Sequence, residues 1–181
     1  MNIWRDVDKR RITPDKFLAY IEISQGMKNK YELDKETGFL YLDRILYTST
    51  HYPANYGFIP RTYCGDHDPL DVLVLCSESI LPMTILDCRP IGVLRMLDQG
   101  ETDEKIIAVP FNDPNYNTYQ DISELPCHIH EEIQHFFSVY KNLEGKKTVV
   151  KEVLGVNEAR KVIRECIELY EETFLTKNSK R

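Results

Sequence analysis

The segment Tyr63-Cys64-Gly65-Asp66-His67-Asp68-Pro69-Leu70-Asp71 places three carboxylates close together, directly before the apolar run Asp71 to Cys76. Such a cluster needs a counter-charge. Hard cations such as Mg2+ prefer oxygen ligands, and a loop entering a buried strand can aim Asp66 and Asp71 at one ion. Pro69 stiffens that loop and biases Asp68 towards an extended backbone. A calcium EF-hand loop is excluded, because its sixth and twelfth positions require Gly and Glu, and counting from Asp66 gives Asp71 and Ser77. Phosphatases with an aspartyl nucleophile carry their paired Asp after a core strand, whereas these acids precede one. On these residues alone a metal site and a solvated acidic turn both stay open.

A second acidic group, Asp98, Glu101, Asp103 and Glu104, lies between two further β-rich runs, where an ordinary charged hairpin loop is the plain alternative. Glu22 and Glu32 stand on runs whose period-2 alternation lets them face the interior of a barrel. Lys30, Arg44, Lys105 and Lys141 adjoin β-rich or aromatic sequence and not solvated charge runs. Lys141 also suits the C-terminal end of a helix, where a cation meets the helix dipole. Tyr52 and Tyr56 flank the turn residue Pro53, where a phenol can donate to a phosphate oxygen without adding charge or can pack at a barrel rim. Seven carboxylates (Glu22, Glu32, Asp66, Asp68, Asp71, Asp98, Asp103) against four cations leave an excess of three negative charges. A pyrophosphate of about −4 deepens that excess, and about three or four divalent ions would bring it near zero. The count implies a multi-metal phosphate enzyme.

Strands must position these groups. Phe17 to Ile23, Lys30 to Leu33, Phe39 to Leu42, Asp71 to Cys76, Ile91 to Leu97 and Lys105 to Val109 are of strand length and rich in branched or aromatic residues. Asp34 to Gly38 reads as a hairpin loop, with Gly38 free to take positive φ. Such closely spaced strands predict a small barrel or curled sheet. From Ile129 the apolar period changes: Ile129, Ile133, Phe136, Phe137 and Tyr140, then Ala159, Val162, Ile163, Cys166, Leu169, Tyr170 and Phe174, mark two amphipathic helices. Lys147 to Val153 is a strand between them, and Asn157 a candidate N-cap. The pattern is one α+β domain over residues 1–175, with Thr176 to Arg181 frayed.

Composition narrows the classes. The chain has 181 residues, 42% hydrophobic and 29% charged, the balance of a globular domain. A net charge of −6 argues against nucleic acid as partner. No apolar run approaches the roughly 20 residues of a membrane span, and no signal-peptide core opens the chain, so a cytoplasmic location is expected and no membrane partner. Five scattered cysteines form no zinc or redox motif and read as buried free thiols. His128, His130 and His135 do not share a helical face and read as surface or subunit contacts.

Taken in order, Ile21-Glu22-Ile23, Lys30-Tyr31-Glu32, Asp43-Arg44, Tyr52 to Gly57, Gly65 to Leu73, Arg89 to Val93, Asp98 to Lys105, His135-Phe136-Phe137 and Tyr140-Lys141 resemble the soluble family I inorganic pyrophosphatases, short bacterial type, almost end to end. The resemblance implies an OB-like five-stranded β-barrel with flanking helices, hydrolysing pyrophosphate through attack of a metal-bound water or hydroxide. It implies Mg2+ as cofactor, with Mn2+ or Zn2+ as substitutes, and a homohexamer. Asp66, Asp71 and Asp103 then match ligands of the activating metals, with Asp71 bridging two ions. Asp98 matches a ligand of a metal arriving with substrate, and Glu22 and Glu32 match contacts made directly or through water. Asp68 matches the residue that orients or deprotonates the attacking water. Lys30, Arg44, Tyr56, Lys105, Tyr140 and Lys141 match phosphate contacts, and Tyr52 sits at the rim. His67 departs from the small or polar residue usual at its position; it either tolerates the same backbone or adds an imidazole to the metal site. The rival classes are a non-catalytic polyanion- or nucleic-acid-binding barrel and a nucleotide pyrophosphohydrolase, which would need a basic stacking groove and a base pocket respectively.

Overall fold

A computed structural model of the protein describes residues 2–175, so the expected fraying of 176–181 lies outside the described residues. Strand β1 (Phe17–Ile23) is buried at every residue. It pairs antiparallel with β4 (Asn55–Phe58) on one side and with β6 (Ile85–Asp98) on the other. β4 pairs antiparallel with β5 (Asp71–Val74), β5 runs parallel to β7 (Glu101–Pro110), and β7 returns antiparallel to β6. The ring β1-β4-β5-β7-β6 therefore closes on itself as a five-stranded barrel. β6, fourteen residues long, also holds β8 (Thr148–Gly155) along its edge. A separate hairpin, β2 (Asn29–Leu33) and β3 (Leu40–Ile45), stands beside the barrel; its loop carries Gly38 at φ 78°.

The unbroken apolar runs of β5 and β7 follow from cover on both faces. Leu73, Leu75, Ile107 and Val109 pack in one cluster with Ile133, Phe136 and Phe137 of α2 (Cys127–Val139). The alternate residues Val72, Val74, Ile106 and Ala108 pack in another with Ala159, Val162, Ile163 and Cys166 of α3 (Val156–Tyr170). Period-2 geometry puts Asp71, Asp103 and Lys105 on the first of these two faces, at its polar end.

Four local expectations are corrected. The turn expected to display Tyr56 is instead the start of β4, which is too short and too thoroughly buried to show alternation. Gly57 is demanded there, because a Cβ would lie 1.8 Å from the Tyr20 carbonyl oxygen. Cys127 is exposed and Cys64 and Cys76 are half-buried, although all five cysteines are free. Glu32 lies on the separate hairpin and is exposed, so it does not face the barrel interior. Asn157 does not cap α3: the Val156 N–H donates to Asp121 Oδ2 at 2.8 Å from outside the helix.

Burial opposes ionisation of Asp121, yet the N–H groups of Ser123 and Val156 outweigh it and hold the carboxyl below its ordinary range. A depressed folded-state value stabilises the fold above the unfolded value, about 3.9, and that contribution is lost as pH falls through the folded value. Asp121→Ala is thus expected to cost about 1 kcal/mol at neutral pH, the usual worth of a cap. Denaturant melts should show the difference from wild type shrinking below about pH 4; a difference that persists unchanged in acid would contradict this assignment.

Candidate active site

Several elements converge on one cavity of about 220 Å³. The β4-β5-β7 wall contributes Tyr56, Asp71, Asp103 and Lys105; the loop before β5 contributes Asp66 and Asp68; the hairpin contributes Lys30, Glu32 and Lys35. Asp98, Tyr140 and Lys141 close the far side, and Glu22 the floor.

Lys105 is the pivot. In the parallel register it lies directly opposite Asp71, and it is 2% exposed. Its Nζ donates to Asp71 Oδ2 at 2.7 Å, to Asp103 Oδ2 at 3.0 Å and to the Tyr56 hydroxyl at 3.1 Å, while that hydroxyl donates to Asp71. Burial alone would lower its basicity, but the carboxylates of Asp103 and Asp71 outweigh burial and keep the ammonium protonated. Burial raises Asp103, with the Asp71 charge adding to the rise against Lys105. Asp66 is likewise raised by burial and by Asp71, Asp103 and Asp68, against one N–H bond from Asp68.

Glu22 occupies the extra position of an irregularity in β1, between the pairings of Ile21 with Gly57 and Ile23 with Tyr56. Such a bulge re-aims a side chain out of the ladder. Its Oε1 accepts the Leu33 N–H at 2.7 Å, and burial pushes its pKa up to about 8. The loop ahead of β5 is self-braced: Asp68 N–H donates to Asp66 Oδ1 at 3.1 Å and Cys64 N–H to the Asp68 carbonyl at 2.9 Å.

Twelve of the fourteen residues singled out in the sequence line this cavity. Arg44 does not: it is held by Asp43 and by Glu144 at 2.8 Å, leaving Nη2 buried with no hydrogen-bond partner among the described residues. Tyr52 is not at the rim. It is 2% exposed, packed beneath Tyr56 and against Phe136 at ring distances of 5.2 and 4.8 Å, because the turn carrying it feeds a fully buried strand. The group sequence reasoning passed over is Lys35, read only as part of a turn. It pairs with Asp68 and lies over the Trp4 ring at 5.1 Å. A lysine in a loop whose flanking strand already carries Lys30 and Glu32 was the available signal.

The donors suit a hard divalent ion. All are oxygens, the carboxylates repel one another, and Asp98 Oδ1 is buried with no hydrogen-bond partner among the described residues. Among the described residues no three acidic, His or Cys side chains converge as a finished ligand shell. The carboxylates are held by ammonium groups instead: Asp71 and Asp103 by Lys105, Asp98 by Lys141, Asp68 by Lys35 and Glu32 by Lys30. Lys35 takes the place given to Arg44 in the charge count, so the lining still has seven carboxylates and four cations.

His67 adopts φ 69°, the left-handed region its type tolerates better than most. Its Nδ1 is 2.9 Å from the Tyr63 hydroxyl, and its ring does not line the cavity. His67→Gly is therefore expected to leave the Mg2+ to Mn2+ activity ratio and the pH profile unchanged. A shift beyond about threefold in either would give the imidazole a role at the metals.

A family model described as Inorganic pyrophosphatase matches residues 19–171. Over 172 residues the chain is 50% identical to soluble inorganic pyrophosphatase 2 of Chlamydomonas reinhardtii, covering 95% of this chain and 90% of that protein. It is 51% identical to soluble inorganic pyrophosphatase PPA1 of Solanum tuberosum, covering 95% and 82%. Among solved structures, the inorganic pyrophosphatase of Thermus thermophilus superposes with a TM-score of 0.88 at 38% identity, covering 94% of this chain and 99% of that one.

Proposed function

The chain belongs to the inorganic pyrophosphatase family, and from that premise we propose how its own residues divide the hydrolysis of pyrophosphate into two phosphates. The family is metal-dependent. Asp66, Asp71, Asp98 and Asp103 are the residues that would hold divalent ions, Mg2+ before Mn2+ or Zn2+ and about three or four with substrate, with Glu22 and Glu32 as outer acidic contacts. When bound, such ions neutralise phosphate oxygens and acidify water.

The remaining roles follow from placement. Lys30, Lys105 and Lys141 present ammonium groups to the substrate's oxygens, and Tyr56 and Tyr140 present phenols. Burial raises both phenols, so they remain donors at neutral pH. Asp68, on the exposed crest of its loop, takes a proton from the attacking water as its oxygen bonds to one phosphorus. The bond from that phosphorus to the bridging oxygen breaks, and the bridging oxygen leaves with the second phosphate. Arg44, paired with Asp43 and Glu144 outside the lining, is given no contact with substrate. The Lys105 contact to Asp71, Asp103 and Tyr56 at once is the observation that carries this reading, since it sets two acids, a phenol and a cation at fixed distances around one space.

Phosphate release should be measured from pyrophosphate and from ATP, with Mg2+ and with chelator. Rapid release from pyrophosphate in Mg2+, abolished by chelator and much slower from ATP, is expected. A folded sample inert towards pyrophosphate in Mg2+ would overturn the reading.

Among the described residues no helix is long and apolar enough to cross a membrane. Five free thiols support a reducing compartment such as the cytoplasm. Exposed Phe39, Tyr41, Leu42, Ile45 and Tyr47 on and beside the β2-β3 hairpin support burial against further copies in a homohexamer. Sedimentation would give the assembly directly.

A further inference from the structure

Behind the acidic loop lies a second cavity, of about 300 Å³. Asp66, Asp71 and Asp103 form part of its wall, and Cys64 and Cys166 line it from the opposite sides of a seam between the loop and α3. Their sulfurs are 2.9 Å apart, although the residues are separated by 102 positions in the chain. The backbones are clamped at the same point, with the Tyr63 N–H donating to the Cys166 carbonyl at 2.9 Å.

We propose that Cys64 and Cys166 are a reversible disulfide site, and that closing it changes the hold of Asp66 on divalent metal; the second half of this statement rests on the reading of Asp66 as a ligand. The bond needs a two-electron oxidant, here a peroxide. Peroxide oxygen transfers to the Cys64 sulfur, the more accessible of the two, giving a sulfenic acid and water. The Cys166 thiol then attacks that sulfur, a second water leaves, and the S–S bond forms. A small disulfide reaches the same product by two exchange steps, releasing two thiols. A dithiol reductant reverses either route.

The bond, about 2.05 Å long, requires the sulfurs to approach by somewhat under 1 Å. Cys64 cannot move alone. Its N–H holds the Asp68 carbonyl, its carbonyl accepts the His67 N–H at 3.1 Å, and Asp66 follows two residues later. Drawing Cys64 towards α3 therefore shifts the whole turn that aims Asp66 and Asp68. Metal-ligand geometry tolerates only about 0.2 Å, so a displacement of that kind weakens binding.

The experiment treats the full-length reduced protein with hydrogen peroxide, alkylates the remaining thiols under denaturing conditions and maps cross-linked peptides by mass spectrometry. The exposed Cys127 serves as an internal control for oxidation. A Cys64 to Cys166 peptide that disappears on reduction, and that is missing from Cys166→Ser, is the expected result. Oxidation of Cys127 without that cross-link would overturn the site. The oxidised protein should also melt about 5 °C or more higher, as a cross-link closing a long loop does. Its half-activating Mg2+ concentration should rise at least about threefold, recovering on reduction. A cross-link with an unchanged Mg2+ response would overturn the coupling to Asp66 while leaving the disulfide itself standing. Comparing wild type before and after reduction keeps both outcomes readable even if Cys166→Ser folds poorly.

Discussion

Asp68→Asn is expected to lower kcat on pyrophosphate by about 10²- to 10⁴-fold, the range lost with a general base, while leaving the half-activating Mg2+ concentration nearly unchanged. Asn keeps the size of the side chain, and the bonds that fix this loop use other atoms: the Asp68 backbone N–H and carbonyl, with Pro69 behind them. What disappears is the charged proton acceptor and its pairing with Lys35, an exposed pair whose loss costs little stability. Kinetics at several Mg2+ concentrations separate the roles. A kcat within tenfold of wild type would remove Asp68 from the chemistry, and a large rise in the Mg2+ requirement would make it a ligand instead.

Lys105→Met is expected to damage both fold and activity. Methionine fills most of the volume but leaves Asp71 and Asp103, both largely buried, facing one another without their shared cation. Removing one partner of a buried pair typically costs about 3–5 kcal/mol, which for a domain of this size lowers Tm by about 10 °C. Part of that loss should return in millimolar Mg2+, since a cation bound by the same carboxylates supplies the missing charge. Wild type should gain less from Mg2+ than the variant does. Thermal melts with and without the ion test the point, and a variant as stable as wild type in chelator would show that Lys105 does not carry the compensation argued for it.

How far the site could be read in advance depended on where each residue sits. Asp71 and Lys105 were legible because each directly precedes an apolar run, Val72 to Val74 and Ile106 to Val109, and Asp103 only as a partner of the first acidic group. Asp66 and Asp68 were legible by their density. β4 was hidden by its own burial: a strand of four residues covered on both faces offers neither alternation nor length, and with it went the true setting of Tyr52 and Tyr56. Arg44 and Lys35 exchanged places for a different reason. Both stand near the hairpin, and which cation enters the cavity depends on Glu144 drawing Arg44 away and on Asp68 drawing Lys35 in. Those are contacts between distant segments, to which local pattern is blind. The barrel's closure through β1 and β6 is equally non-local: strand spacing left a small barrel and a curled sheet both open, and the family resemblance chose the barrel.

The parallel register of β5 on β7 has a consequence for folding fidelity. Each step along either strand swaps a residue between the α2 layer and the α3 layer, so a slip of one position would turn Asp71 away from Lys105 and send it into the apolar layer under α3. Chains that closed the barrel one residue out of step could remain compact and keep their secondary structure, yet they would lack the charged pair to which the proposed chemistry is assigned. Specific activity per folded molecule is therefore a gauge of strand registration, sensitive to an error that a far-ultraviolet spectrum would pass over.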